Sequence, residues 1–191
     1  MSDADRIAAG LRALATVASA TASATGALEP IVAVMRGCLA GGGTLFFAGN
    51  GGSAADAQHV ASEYVVRYRR GNQRALRAIA LTTDTSALTA ASNDFGFEFV
   101  FARQLEALAR PGDVLIVHTT SGTSRNCVVA VERAREIGVT TIGFLGGDGG
   151  VLAAIVDHAF IVADDRVNHI QEIHLAVQHQ IAAILAGEHG G

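Results

Sequence analysis

The chain has little of several residue types, and each shortage excludes a class of protein. Its two cysteines, Cys38 and Cys127, are too few for a disulfide framework or a cysteine-rich metal site. It contains no apolar run of the ~18–20 residues that a membrane-spanning helix needs, and its polar start lacks the order of a secretory signal. A net charge of −4 provides no basic surface for nucleic acid. We therefore expect a cytoplasmic protein that binds neither membranes nor nucleic acids.

Short apolar segments alternate with helical patterns once the glycine run at 41–43 has ended the second helix. This alternation predicts an α/β fold, a three-layer αβα sandwich around a parallel five-stranded sheet. The predicted strands are Thr44–Ala48, Leu76–Leu81, Asp113–His118, Thr140–Leu145 and Ala159–Val162. The predicted helices after the first strand are Ser53–Tyr68, Thr85–Ser92, Glu98–Ala109, Ser124–Ile137 and His169–Leu185.

Two alanine-rich helices, Asp3–Ala22 and Leu28–Leu39, precede the first strand. On their own they would leave apolar surface exposed, so we expect them to pack against other subunits as an oligomeric bundle. The alternative is that they simply cover the sheet. We expect one domain, with residues 1–40 for oligomerisation, 41–187 as the core with the last helix, and 188–191 as a flexible tail.

The most informative segment is the turn Gly49-Asn50-Gly51-Gly52-Ser53, between the first strand and the next helix. Glycines let backbone N–H groups approach an anion, and the new helix directs its positive end at that anion. Farther along this helix, His59 and Glu63 are four residues apart and share one face. A phosphate cradle and an acid/base or metal-binding pair would thus lie ~10–15 Å apart, which suits the two ends of a sugar phosphate.

A second candidate anion site follows the third strand, where Thr119-Thr120-Ser121-Gly122-Thr123-Ser124 leads into a helix. Hydroxyl groups and N–H groups at a helix start are phosphate ligands, and ligands in such folds collect at the carboxyl ends of the strands. The phosphate loop of nucleotide hydrolases and the Gly-x-Gly-x-x-Gly pattern of dinucleotide-binding proteins are both absent from the sequence.

The last predicted helix contains Gln171, His174 and His179 among apolar residues. Two histidines, a glutamate and a carbonyl oxygen form a plausible set of divalent metal ligands, and imidazole favours Zn²⁺. By spacing, Gln171 pairs more closely with His174 or Leu175 than with His179, which lies ~12 Å farther along the helix.

A basic cluster straddles a turn before the second strand. It is either a solvated rim, which the pattern favours, or a clamp for phosphate or carboxylate. Its members are Arg67, Arg69, Arg70, Arg74 and Arg77.

Together these motifs closely resemble the sugar isomerase (SIS) domain family over essentially the whole chain. The motifs are the Gly-Asn-Gly-Gly-Ser turn with its His-x-x-x-Glu helix, Ala-Leu-Thr-Thr-Asp-Thr-Ser, Asn-Asp-Phe-Gly-Phe, Thr-Ser-Gly-x-Ser and Ile-Gln-Glu-x-His. Within the family, the resemblance is to bacterial isomerases that convert sedoheptulose 7-phosphate to heptose 7-phosphate, the first step of nucleotide-activated heptose synthesis. Thr119 replaces the family's usual serine but keeps the hydroxyl. His118, just before this turn, is less usual, and the sequence offers no account of it.

The resemblance implies one Zn²⁺ per subunit and a homotetramer with active sites at subunit interfaces. The zinc ligands that it implies are His59, Glu63, Gln171 and His179. The substrate-binding residues that it implies are Asn50, Gly51, Gly52, Ser53, Glu63, Asn93, Asp94, Thr119, Thr120, Ser121, Ser124 and Gln171.

Converting a ketose to an aldose moves a proton between C1 and C2 through an enediol. We expect Glu63 to act as the base and His179 as the complementary acid/base. Two other functions remain open at this stage. One is a non-catalytic SIS protein, such as an adaptor for a replication initiator, for which the catalytic set would serve no purpose. The other is an isomerase of a different phosphosugar.

Overall fold

A central parallel sheet organises the molecule, as the sequence predicts. The computed structural model describes residues 1–68 and 74–188. The sheet has five parallel strands in the order β2-β1-β3-β4-β5. The strands are β1 (Leu45–Gly49), β2 (Ala78–Ala80), β3 (Val114–Thr119), β4 (Thr140–Gly146) and β5 (His158–Val162). All five predicted strands are confirmed, with ends within two residues of the expected ones.

The helices follow the prediction except in two places. The expected helix Glu98–Ala109 is a 3₁₀ turn, Phe97–Phe99, followed by a separate helix from Ala102, since three phenylalanines and a valine are poor helix formers. A four-residue helix beginning at Gly150 was not predicted, because so short a segment has no helical period. The helices are α1 (Asp3–Ala22), α2 (Leu28–Ala40), α3 (Gly52–Val65), α4 (Thr85–Asp94), α5 (Ala102–Leu108), α6 (Arg125–Ile137), α7 (Gly150–Ala153) and α8 (Val167–Glu188).

Successive strand residues point to opposite faces of the sheet and build two separate cores. Phe47, Ile116 and Phe144 pack with α2, α3 and α8 on one face. Phe46 and Leu115 pack with α4, α5, α6 and α7 on the other. Helices α3 and α8 therefore lie on the same face of the sheet, which brings their polar side chains together.

Helix α1 differs from the rest because none of its residues is buried. Ile7 and Leu11 are 66% and 63% exposed. An apolar groove of about 820 Å³ separates α1, α2 and α8. Helix α2 covers the sheet, with Ile31 and Met35 in its core, and Leu14 and Val17 of α1 pack against the same core. The oligomeric bundle stays a prediction.

Neither cysteine is available for simple surface chemistry, because both side chains are buried. Burial raises the pKa of Cys127 to about 12. Among the described helices, none is by itself long and apolar enough to cross a membrane; α1 and the segment Thr25–Ala40 reach that composition only jointly, across a 61° bend.

Candidate active site

The two loops with polar motifs meet at the centre of the sheet. Strands β1 and β3 are neighbours, but β1 leads to β2 on one side and β3 leads through α6 to β4 on the other. Such a reversal opens a crevice at the carboxyl ends of the two strands, where ligands bind in this class of fold. Helices α3 and α6 both begin at this crevice.

The starts of α3 and α6 have no side-chain cap. Gly51 and Ser124, their N-cap residues, make no side-chain capping hydrogen bond within the described part of the chain. By contrast, Asp84 caps α4 by accepting a hydrogen bond from the Ala87 N–H. Uncapped N–H groups at a helix start favour an anion, so both helices are suited to bind phosphate.

The glycine turn also brings α8 into the site. Gly51 has φ of +55°, a conformation that glycine adopts without strain. A Cβ atom on Gly52 would lie 2.5 Å from the Oε1 atom of Gln171. The Gln171 amide therefore packs directly on the start of α3, and a side chain at position 52 would displace it. Ser53, next in the chain, is buried.

A pair of asparagines joins the two candidate phosphate loops. The Asn50 side chain donates to Asn126 Oδ1 over 2.9 Å, and the Asn126 side chain donates to Asn50 Oδ1 over 2.8 Å. Asn126 is 3% exposed and lies in the first turn of α6. Sequence reasoning missed Asn126, although an asparagine in a first helical turn after a hydroxyl-rich loop was a usable signal.

The hydroxyl groups of the second loop converge. Thr119 Oγ1 lies 3.2 Å from Ser124 Oγ and 3.5 Å from Ser121 Oγ. Ser121 Oγ also accepts hydrogen bonds from the N–H and hydroxyl groups of Thr123, so Thr123 supports this loop. Three hydroxyl groups within hydrogen-bonding distance at the start of α6 can donate together to phosphate oxygens.

The third group of polar residues lies where α3 passes α8. His59 Nε2 is 2.8 Å from His179 Nε2 and 3.3 Å from Glu63 Oε1. The Tyr68 ring packs beside His179, with 5.8 Å between ring centroids. Sequence reasoning did not select Tyr68. The structure thus brings together three of the four zinc ligands that the resemblance implied.

The geometry of this cluster fits a divalent cation. One ligand atom from each of His59, Glu63 and His179 lies within 4.8 Å of the other two. Two facing imidazole nitrogens at 2.8 Å share at most one proton, so at least one lone pair points into the cluster. Two imidazoles and a carboxylate are a known zinc donor set that leaves a fourth position open.

The spacing argument on α8 was misleading for His174. His174 is fully buried, and its Nε2–H donates to the Leu145 carbonyl over 3.0 Å. Gln171 instead packs beside Gly52, and His179 beside His59, because α8 runs alongside α3 in the same direction. The eight residues from Gln171 to His179 on α8 thus cover the same stretch as the seven residues from Gly52 to His59 on α3. Gln171 as a fourth metal ligand stays a prediction.

Asn93 and Asp94 are exposed at the end of α4, where the Asn93 amide donates to Asp94 Oδ1 over 2.8 Å. The 3₁₀ turn that follows reaches the crevice. A pocket of about 390 Å³ at this point is lined by Asn50, Phe97, Glu98, Ser124, Arg125 and Asn126.

The basic cluster has no demonstrated part in the site. Arg77 donates to Thr44 Oγ1 over 3.0 Å, at the amino-terminal end of β1 and therefore at the opposite edge of the sheet. Arg67 and Arg74 are exposed, as the interpretation of a solvated rim requires. Arg69 and Arg70 lie outside the described residues.

Comparison with known proteins defines the class first. Residues 11–146 match the family model of the SIS domain, and the chain belongs to this family. The similarity extends to one group within it. A phosphoheptose isomerase from Paramagnetospirillum magneticum is 49% identical over 87% of this chain and 91% of its own length. One from Akkermansia muciniphila is 46% identical, covering 90% of this chain and 91% of its own.

A solved structure extends the agreement to the fold. The phosphoheptose isomerase of Neisseria gonorrhoeae superposes with a TM-score of 0.90 at 37% identity, covering 97% of this chain and 100% of that one. The predicted three-layer architecture is therefore confirmed both by the sheet itself and by this likeness.

Proposed function

We propose that this chain is an aldose–ketose isomerase that interconverts sedoheptulose 7-phosphate and D-glycero-D-manno-heptose 7-phosphate. The observation that carries the proposal is the convergence of His59, Glu63 and His179 beside a crevice with two anion-binding helix starts. Relatives named phosphoheptose isomerase, similar over nearly their whole length, support the choice of substrate. With this activity the chain would act in the cytoplasm, at the entry to nucleotide-activated heptose synthesis.

The carbon proton needs a base that can return it to the neighbouring carbon. Glu63 suits this role, since one carboxylate oxygen can face the cluster while the other accepts the proton from C1 and delivers it to C2. His179 would move the proton between the oxygens on C1 and C2. Both side chains contact His59, and the packing of α3 on α8 keeps them together.

The proposed cofactor is one Zn²⁺ held by His59, Glu63 and His179, with Gln171 as the fourth ligand. Such a cation, when bound, polarises the substrate oxygens as a Lewis acid. A carboxylate and two imidazoles suit zinc better than magnesium or calcium, which prefer oxygen ligands.

The phosphate end of the substrate would bind to Ser53, Thr119, Thr120, Ser121 and Ser124, with backbone N–H groups from Gly51 and Gly52. Asn50 and the exposed pair Asn93 and Asp94 would bind sugar hydroxyls. Binding energy from the phosphate, remote from the reacting carbons, orients the open-chain sugar for proton transfer.

We propose a homotetramer in which α1 and α2 form a helical bundle and the active sites lie at subunit interfaces. The support is the exposed apolar face of α1 and the apolar groove beside it. One SIS domain would comprise residues 1–191, with 1–40 for assembly, 41–187 as the core and 188–191 as a tail.

The rival functions differ in what they require of the site. A non-catalytic adaptor has no need of two imidazoles and a carboxylate in one cluster, and this cluster therefore favours the enzyme. An isomerase of another phosphosugar would use the same cluster and differ only where the far end of the sugar is bound.

The deciding experiment incubates the purified protein with sedoheptulose 7-phosphate and follows the aldose product by NMR. We expect conversion that stops with a chelator and returns with Zn²⁺. Ribulose 5-phosphate and fructose 6-phosphate serve as comparison substrates. Preferential turnover of either would replace the heptose assignment, and no turnover of any sugar under any divalent metal would favour the adaptor.

A further inference from the structure

Helix α8 makes two buried polar contacts with the sheet that the proposed reaction does not use. His174 donates from Nε2 to the carbonyl of Leu145 in β4 over 3.0 Å. Gln178 pairs through its amide with His118 Nε2 in β3 over 3.1 Å. His174 and Gln178 are four residues apart and therefore share one helix face. The two contacts join α8 to neighbouring strands directly behind the hydroxyl loop.

These contacts stabilise the packing of α8 on the sheet less than apolar contacts would. His118, His174 and Gln178 are all fully buried. Within the described part of the chain, His118 Nδ1, His174 Nδ1 and Gln178 Oε1 have no hydrogen-bond partner. Buried polar atoms without partners lower stability, and apolar residues of similar size would avoid that loss. A gain in stability therefore does not account for this arrangement.

These hydrogen bonds are directional, whereas apolar packing is not. Burial lowers the pKa of His118 to about 3 and of His174 to about 4, so both rings are neutral at neutral pH. A neutral imidazole has one donor and one acceptor, each at a defined place on the ring. A hydrogen bond to each ring therefore sets both the rotation of α8 about its axis and its distance from the sheet. Hydrophobic contacts are non-directional and set neither.

The two site residues of α8 whose positions depend on its orientation, Gln171 and His179, lie close to the two contacts in sequence. Gln178 immediately precedes His179, whose Nε2 atom faces His59 at 2.8 Å. His174 follows Gln171, whose amide packs against Gly52, by three residues. A small rotation of α8 would move both site residues at once.

We propose that His174 and the His118–Gln178 pair are positioning residues that set α8 on the sheet so that His179 and Gln171 meet the ligands on α3. The inference rests on the proposed function, since it concerns the same metal and substrate site. It also accounts for His118, whose buried ring near the end of β3 pairs with Gln178.

The first test compares His174→Leu with His174→Gln, because a glutamine Nε2 reaches about as far as a histidine Nε2 and restores the N–H donor. Zinc affinity of the metal-free protein is measured by competition with a chromophoric chelator, and kcat and KM are measured with sedoheptulose 7-phosphate. Loss of a residue that orients metal ligands typically weakens metal binding ~10–100-fold. We expect about a tenfold weaker zinc affinity and lower kcat for His174→Leu, with little change in KM, and recovery in His174→Gln.

The matched control is Leu185→Ala, which creates a cavity under the same helix about two turns beyond Gln178. We expect it to lower the melting temperature at least as much as His174→Leu while zinc affinity and kcat stay near wild type. Equal losses of affinity in both variants would mean that His174 is merely structural, and wild-type zinc binding by His174→Leu would overturn the proposal.

A second pair of variants covers the case in which His174→Leu does not fold. Gln178→Leu leaves His118 without its partner, whereas His118→Leu with Gln178→Leu removes both polar groups. We expect the double variant to recover its melting temperature but to keep weakened zinc affinity. Recovery of both would refute positioning by this pair. Zinc affinity is measured without substrate, so this test does not depend on the reaction. A wild-type protein that binds zinc but does not isomerise the heptose would refute the proposed function and leave this test valid.

Discussion

The two ends of the candidate site are built differently. The phosphate end consists of backbone N–H groups and hydroxyls in two loops, each continuous in sequence, at the starts of α3 and α6. The reactive end consists of side chains from two helices, with His59 and His179 separated by 120 residues. Local turns can be recognised in a sequence as motifs, whereas a cluster between helices depends on how the helices pack.

The same difference predicts how each end of the site responds to a single substitution. In the proposed site several donors would share the phosphate, so the loss of one hydroxyl should weaken substrate binding only in part. One carboxylate and one pair of imidazoles would perform distinct steps at the reactive end, so a single substitution there should remove a whole step. Substitutions at the two ends test this contrast.

The largest effect is expected at Glu63. Replacing it by glutamine removes the proposed base while keeping its size, and a general base contributes about 10²–10⁴-fold to the rate. We expect kcat to fall by that range, measured by NMR turnover of sedoheptulose 7-phosphate, with unchanged circular dichroism. Glu132→Gln on the exposed face of α6 is the matched control. Near wild-type turnover of Glu63→Gln would refute the base assignment.

Zinc binding should depend on His59. His59→Asn removes one imidazole donor from the cluster, and we expect zinc affinity to fall by more than about tenfold, measured by chelator competition. His158→Asn, at the start of β5, is the control histidine variant. If both variants bind zinc like the wild type, the cluster on α3 and α8 does not hold the metal.

A smaller effect is expected at the phosphate end. Ser124→Ala removes one of three converging hydroxyls, and a hydrogen bond to a charged group contributes about 1.5–3 kcal/mol. We expect KM to rise about tenfold or more, while kcat stays within about threefold. Thr140→Ala, at the start of β4, provides the control. A fall in kcat without a change in KM would place Ser124 in the chemistry instead.

The last effect concerns stability in acid, and it is negligible at the neutral pH of the activity measurements. The pKa values of His118 and His174, lowered by burial to about 3 and about 4, lie below the 6.5 of an exposed histidine. The unfolded chain thus binds more protons than the folded one below about pH 6.5. Their contribution to stability is complete above that pH and declines as the pH falls toward 4, by about 1.4 kcal/mol for each histidine and pH unit.

Urea unfolding of the metal-free protein between pH 7 and pH 4 measures this decline. The variant with both His118→Leu and Gln178→Leu should lose stability less steeply than the wild type. The difference between the two proteins removes the opposing contribution of Asp56, whose carboxyl pKa is raised to about 6, mainly by burial. Parallel curves would mean that His118 protonates normally in the folded protein.

Much of the candidate site was predictable because its chemistry is local. The glycine turn, the hydroxyl loop and the i, i+4 pair of His59 and Glu63 each lie within one short segment. Tyr68 was missed because nothing in its own segment distinguishes it from a surface residue. Asn126 was missed because its place after a hydroxyl-rich loop also suits an ordinary helix start. Their roles depend on contacts with Asn50 and His179, which lie far away in sequence.

By itself, the sequence determined the order of strands and helices, the parallel sheet and the two loops at its carboxyl edge. Periodicity and turn residues act over a few positions, so a single segment carries the information. Spacing favoured His174 and the family resemblance implied His179; only the tertiary structure showed that His179, not His174, faces α3. That choice depends on α8 running alongside α3 and on which face of α8 the sheet buries, and both are consequences of packing between segments that are distant in the chain.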